Sequence, residues 1–315
     1  MEHTISPADG IDSNHADELS SSQSSTNLAF KYIRGEVVGK GSYASVYLGL
    51  VTKTGEMIAV KQIDLQSTSS FSATRDYFVE VFRKETKLRA KLNHNNIVQY
   101  LGYEENPQSL SIFLEYVPGG SIRNLLDKSG AFQEDITKSF TSQILSGLEY
   151  LHAWEVIHQN LTADNILVEM SGVCKISGFG KSSHVDDMNN IGAVTDVRGA
   201  LRWMAPEMVR AEEVGVFNVM VDIWGVGCVV LEMWSGELPW GDENEISVQL
   251  KLYNHGKPPI PANLTLDPIA EQFRIKCFEI SPMDRPTAAQ LKGHQYLQLP
   301  PNWIFSKLTH DDNAN

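Results

Sequence analysis

Apolar and polar residues fall into three regimes along the chain. Residues 1–29 hold seven serines, five acids and no Lys or Arg, with little apolar material. Such a composition does not repay the entropy of folding, and it predicts a disordered acidic tail. From Phe30 the pattern changes. The stretches YIRGEVVGKGSYASVYLGL and MIAVKQI are β-branched and apolar, punctuated by glycines and by a Thr54-Gly55 turn, and they predict an antiparallel meander. Residues 66–75, rich in Ser and Thr, read as a loop. Beyond them Val81, Glu85, Leu88 and Leu92 recur at helical spacing, which predicts a helix over about 76–92 with an acid on its apolar stripe. That acid needs a partner. NIVQYLGY and LSIFLEYV read as two more strands, and Pro118-Gly119-Gly120 as a turn. The rest of the chain is helical in pattern. Phe140, Ile144, Leu148 and Leu151 mark one amphipathic helix, and residues 222–234 are apolar nearly all round, which predicts a buried central helix. The outline is α+β, a small β-rich lobe with one helix followed by a larger helical lobe.

Composition narrows the functional classes. The chain has 315 residues, 42% of them hydrophobic, enough for a sizeable core. With 26 basic against 39 acidic residues the molecule carries a formal charge of −13, so its field opposes polyanions and nucleic acid is not an expected partner. Cys174, Cys228 and Cys277 are widely spaced and odd in number, as in a reducing compartment, and no CxxC suggests zinc. The residues after Met1 lack a basic and apolar leader pattern, and the most apolar run, 219–234, is broken by Asp222 and Glu232. These features predict a cytoplasmic protein without a membrane partner.

Gly39-Lys40-Gly41 between two β-type runs, followed by Val46, is a pattern that brings backbone N–H groups close to phosphates, although an ordinary glycine hairpin gives the same letters. It gains meaning in company. Ala59-Val60-Lys61, Glu85, His158, Asn165, Phe179-Gly180, Ala205-Pro206-Glu207, Asp222 and Arg285 follow in an order and spacing that resembles the bilobal protein kinase fold over residues 30–297. Within that fold, NHNNIVQYLGY, IFLEYVPGGSI, RWMAPEMV and VDIWGVGCVVLEMWSGELPW are most similar to the MAP kinase kinase kinases of the Ste11/MEKK group, of serine/threonine type. The resemblance implies a small lobe at 30–117, a large lobe at 118–297 and flanking tails at 1–29 and 298–315. It implies ATP as ligand and signalling kinases or scaffold proteins as partners. Lys61 would hold the α- and β-phosphates and pair with Glu85. Gly39 and Gly41 would cover the phosphates, and Val46, Ala59 and Leu167 would enclose adenine. Glu115 to Val117 would form the hinge, behind Leu114.

The same resemblance exposes what is missing. The base position in the His-Arg-Asp stretch is Asn160, and an amide orients a hydroxyl but does not take its proton near neutral pH. The metal-holding acid of the Asp-Phe-Gly stretch is Gly178, which leaves Asn165 as a lone, neutral magnesium ligand, or simply a loop-shaping amide. The lysine expected two residues after the base is Thr162, and the threonine expected before Trp-Met-Ala-Pro-Glu is Ala200. Gln159 replaces the arginine that grips a phosphorylated activation segment, so phosphate on Ser182, Ser183 or Thr195 would lack that anchor. Asp164, Glu169, Asp186 and Asp187 read as solvated acids, His94 and His152 as turn and helix-end residues, and PNWIFSKL as a tail docked on the large lobe. Arg89 falls where the family keeps an apolar residue, and a buried guanidinium without a partner would disfavour the active arrangement. The expectation is a pseudokinase that binds ATP with weak or absent magnesium. The alternative is an active or weakly active serine/threonine kinase.

Overall fold

The computed structural model describes residues 30–41, 44–65, 72–185, 200–210 and 218–306, with backbone alone for 72–75. The two tails apart from 298–306, the serine-rich stretch 66–71, Asp186, Asp187 and Thr195 lie outside the described residues. The β-type runs form five strands: β1 (Tyr32–Lys40), β2 (Ser45–Val51), β3 (Met57–Asp64), β4 (Tyr100–Glu105) and β5 (Ser109–Glu115). They make one antiparallel sheet in the order β1-β2-β3-β5-β4. The Thr54-Gly55 turn joins β2 to β3, with Gly55 at φ 74°, a left-handed backbone that costs glycine nothing.

The helix of the small lobe, α1, spans Ser72–Arg89. It begins four residues earlier and ends three earlier than the polar pattern predicts. Its buried face is Phe82, Glu85, Thr86 and Arg89, whereas Val81 and Leu88 are only half-buried and Leu92 is buried beyond the helix end. The hydrophobic stripe misled because two of the inward side chains are charged and satisfy each other. Phe82 joins Ile63, Leu110, Ile112 and Leu114 in the small-lobe core.

After the Pro118-Gly119-Gly120 turn, α2 (Ile122–Ser129) starts with a capping box in which Ser121 and Asn124 bond each other's backbone. Helix α3 (Glu134–Ala153) buries Phe140, Ile144, Leu148 and Leu151 as its periodicity predicts. The central helix, Met220–Ser235, is buried from Val221 to Trp234 and stops at Gly236, whose φ of 76° closes it. Trp303 and Phe305 pack against this large-lobe core. Among the described residues, no helix is long and apolar enough to cross a membrane.

The turn between the lobes is set by a close approach. A Cβ on Gly119 would sit 2.1 Å from the Val168 carbonyl oxygen, so Gly119→Ala must push the two segments apart. We expect it to lower stability by about 1–3 kcal/mol in chemical denaturation, the usual cost of overpacking.

Candidate functional site

Lys61 lies on β3, opposite Val46 of β2 and Ile112 of β5. Its Nζ donates to Glu85 Oε2 at 2.5 Å, and the Glu85 side chain is 1% exposed. Burial alone would lift the Glu85 pKa, but Lys61 and Arg89 together hold it below its ordinary value. The acid on the apolar stripe therefore has partners in both Lys61 and Arg89.

Arg89 corrects the sequence-based expectation. Its guanidinium is buried and partnered: Nε donates to Glu85 Oε1 at 3.2 Å and Nη1 to the Val98 carbonyl at 3.2 Å. Its Cζ stands 4.3 Å from the Phe179 ring centroid, a cation–π distance. Phe179 meets the His158 ring edge-to-face at 5.0 Å. A continuous run of contacts thus links β3, through Glu85, Arg89, Phe179 and His158, to the loop of the large lobe. The arrangement that an unpaired Arg89 would have opposed is assembled.

That loop hangs from the central helix. Asp222 accepts the backbone N–H groups of His158 (2.9 Å) and Gln159 (2.8 Å), and its Oδ2 lies 3.0 Å from His152 Nε2. The bonds hold Gln159 at φ 64°, a left-handed conformation that a longer side chain seldom adopts unaided. His158 Nε2 lies 2.7 Å from the Ser177 carbonyl, and burial pushes the imidazole pKa down, so it is a neutral ring donating from Nε2. Gln159 Nε2 donates to Ser183 Oγ at 2.5 Å, and Ser182 Oγ donates to the His158 carbonyl at 3.1 Å. Both serines are held by neutral bonds where they stand.

Asn165 donates from Nδ2 to the Asn160 carbonyl at 2.8 Å, a loop-shaping bond, while Gly178 sits opposite it at φ 77°. A Cβ built on Gly178 would lie 2.3 Å from Asn165 Oδ1. More than a carboxylate is missing here, because the amide of Asn165 occupies the room that a side chain at 178 would need. Thr162 and Ala200 are both buried, and Asn160 is half-buried.

The nucleotide-binding candidates gather unequally. Ala59, Leu114, Val117 and Leu167 belong to one apolar cluster at the floor of the sheet. Val46 pairs with Gly39 across the β1–β2 hairpin, whose tip residues Ser42 and Tyr43 lie outside the described residues. Packing does not itself demand glycine at 39, where a Cβ would meet Val46 at an ordinary 3.6 Å. The Gly41 N–H donates to the Ala44 carbonyl at 2.8 Å. The Glu115 side chain is turned to Lys175, 3.0 Å away, and accepts from the Gln99 N–H at 2.8 Å. Any hinge role of Glu115 is thus a backbone role. Glu169 is also an ion-pair partner of Lys175, at 3.4 Å, whereas Asp164 is exposed.

Two buried acids brace the surrounding platform. Glu207 takes a bidentate pair from Arg285, at 2.6 and 2.8 Å, with both side chains buried. Glu232, which sequence reasoning passed over as an interruption of an apolar run, accepts from Trp203 Nε1 at 2.6 Å and lies 3.4 Å from Arg123 Nη1. Burial outweighs both partners and raises its pKa to about 7. A carboxyl whose folded pKa exceeds its unfolded one stabilises the fold at low pH, and that contribution is lost as pH rises from about 4.5 to about 7. The urea midpoint of Glu232→Gln is therefore expected to rise relative to the wild type as pH is raised across this window. A constant difference would contradict it.

The comparisons with known proteins agree with this geometry. The sequence matches the protein kinase domain family over residues 32–297. It is 41% identical over 286 residues to the MAP kinase kinase kinase mkh1 of Schizosaccharomyces pombe, covering 89% of this chain and 26% of the relative. To the serine/threonine-protein kinase BCK1/SLK1/SSP31 of Saccharomyces cerevisiae it is 40% identical over 279 residues, 88% of this chain and 19% of the relative. To mitogen-activated protein kinase kinase kinase 2 of Arabidopsis thaliana it is 37% identical over 269 residues, 85% of this chain and 41% of the relative. The chain spans well under half the length of each of these relatives. With the five-stranded sheet, the Lys61–Glu85 pair and the Asp222-braced loop in place, the chain belongs to the protein kinase domain family.

Proposed function

We propose that this chain is a kinase-fold module of MAP kinase kinase kinase type that binds ATP without transferring its phosphate, and that acts in the cytoplasm by engaging signalling kinases or scaffold proteins. Its nucleotide site would lie between the lobes 30–117 and 118–297. The observation that carries this reading is the contrast within one site. The Lys61–Glu85 pair and the edge-to-face Phe179–His158 contact are formed, while Asn160 supplies no base and Gly178 no carboxylate. Loss of a positioned base alone costs about 10²- to 10⁴-fold.

Magnesium is the usual companion of ATP in this family, and the residues present do not fit it. The ion favours charged, hard oxygens in octahedral array, and here one neutral amide, Asn165, stands beside a glycine whose side-chain room it fills.

The test is binding set against turnover. Calorimetric titration with ATP is expected to give saturable binding that Lys61→Met weakens by at least ~10-fold, since removing a charged partner of phosphate costs about 1.5–3 kcal/mol. Absence of binding would overturn the nucleotide role. The second reading, a weak serine/threonine kinase, is favoured by the formed Lys61–Glu85 pair and by the relatives being named as kinases. It requires phosphate incorporation that depends on Lys61.

A further inference from the structure

We propose that Lys175 is a positioning residue of the nucleotide site, an ionic clasp that ties the end of β5 to the large-lobe hairpin under the base and so sets the spacing of the adenine slot. The inference rests on the nucleotide-binding reading above and adds to it a residue that touches no nucleotide. The Lys175 ammonium lies 3.0 and 3.1 Å from the two carboxylate oxygens of Glu115 and 3.4 Å from Glu169 Oε1. The Lys175 and Glu115 side chains are 12% and 23% exposed, so solvent screens this pair less than it screens a surface pair.

The two ends of the clasp lie beside the two walls of the slot. On β5, Glu115 follows Leu114, the cross-strand partner of Ala59, which the nucleotide-binding reading puts on one side of the base. In the large lobe, β6 (Ile166–Val168) pairs with β7 (Cys174–Ile176), and Lys175 stands opposite Leu167, which the same reading puts on the other side. Each end is itself fixed. Glu115 accepts the Gln99 N–H at 2.8 Å and returns its own N–H to the Gln99 carbonyl at 3.0 Å. On the hairpin, the Val168 N–H donates to the Gly120 carbonyl at 2.8 Å. Backbone bonds also join the lobes further back, from the Val98 N–H to the Ile176 carbonyl at 3.0 Å and from the Ile176 N–H to the Asn96 carbonyl at 2.9 Å. The ion pair adds a tie at the hinge end, where the distance between Ala59 and Leu167 is decided. A slot held at its working width binds with less ordering, and loosening it lowers apparent affinity by the fraction of molecules left competent.

Adenosine is the probe that isolates this effect. It carries no charge, so loss of a lysine does not weaken it by removing attraction for an anion. The experiment is calorimetric titration of the whole chain with adenosine, and in parallel with ATP, for the wild type, Lys175→Met, Lys175→Arg, Glu115→Gln and the Lys175→Met/Glu115→Gln double variant. Lys175→Met and Glu115→Gln are each expected to weaken adenosine binding about fivefold, and the double variant no further than the larger single, because the two residues act as one unit. Lys175→Arg, which keeps the charge, is expected to retain most of the affinity. Unchanged adenosine affinity in Lys175→Met overturns the proposal, and so do single effects that add in the double variant. Should Lys175→Met fail to fold, Glu115→Gln decides alone, and unchanged affinity there is equally fatal. A wild type that binds ATP but not adenosine also overturns the clasp. If neither ligand binds the wild type, it is the nucleotide-binding reading that falls.

Discussion

Arg285→Met is expected to destabilise the folded chain by about 3–5 kcal/mol, the cost of leaving a buried charge without its partner. Glu207 would be the charge left behind. It is 3% exposed and takes both of its hydrogen bonds in this pair from Arg285, at 2.6 and 2.8 Å. The same guanidinium also donates to the carbonyls of Glu279, Met220 and Ile280, so its loss frees acceptors at the start of the central helix as well. Urea unfolding followed by far-ultraviolet circular dichroism reads the loss directly. Glu207→Leu combined with Arg285→Met should recover a good part of it, because no charge is then stranded. A single Arg285→Met protein within about 1 kcal/mol of the wild type would mean that the pair does not brace the large lobe.

The second large effect concerns chemistry. Asn160→Asp, Thr162→Lys, Gly178→Asp and Ala200→Thr together are expected to raise phosphoryl transfer at least ~10²-fold over the wild type, the lower end of what a positioned base contributes. The expectation follows from the structure because, among the described residues, the supporting contacts around these positions are formed. Lys61 meets Glu85, Phe179 meets His158, and Asp222 holds the loop. Asn160→Asp alone is expected to yield far less, since residue 178 would still offer no metal ligand. The reversion at 178 has an obstacle that the others lack. An aspartate tolerates the φ of 77° there better than most residues, but its Cβ displaces Asn165, which must give up its bond to the Asn160 carbonyl or turn away. A four-site variant that remains folded and inert would place the defect elsewhere, with the charge of Arg89 the first suspect.

The frame of this molecule is legible in its sequence because frame residues announce themselves by period and kind. Phe140, Ile144, Leu148 and Leu151 predict α3, and the unbroken apolar run predicts the central helix. The site is legible in the identity of its residues but not in their contacts. Nothing in local pattern says that Arg89 turns inward, since its burial depends on Glu85 one turn earlier and on Val98 and Phe179, which are brought there by folding. Periodicity accordingly assigned the helix an apolar face that is half ionic. Gly178 reads as a lost acid, yet its contact with Asn165 exists only once β6 (Ile166–Val168) and β7 (Cys174–Ile176) pair and set the two residues face to face. Glu115 is hidden in another way. Its place in the chain suggests a hinge, and only the neighbouring Lys175 shows that the side chain serves the strand behind it.

The most direct measurement is incorporation of the γ-phosphate of ATP. The purified chain and its Lys61→Met variant are incubated with ATP, magnesium and a generic protein substrate, and phosphate on the chain and on the substrate is counted by intact-mass spectrometry. With neither a base at 160 nor a carboxylate at 178, the two proteins are expected to give the same background. Phosphate that accumulates with time in the wild type and disappears in Lys61→Met would contradict the account at its centre.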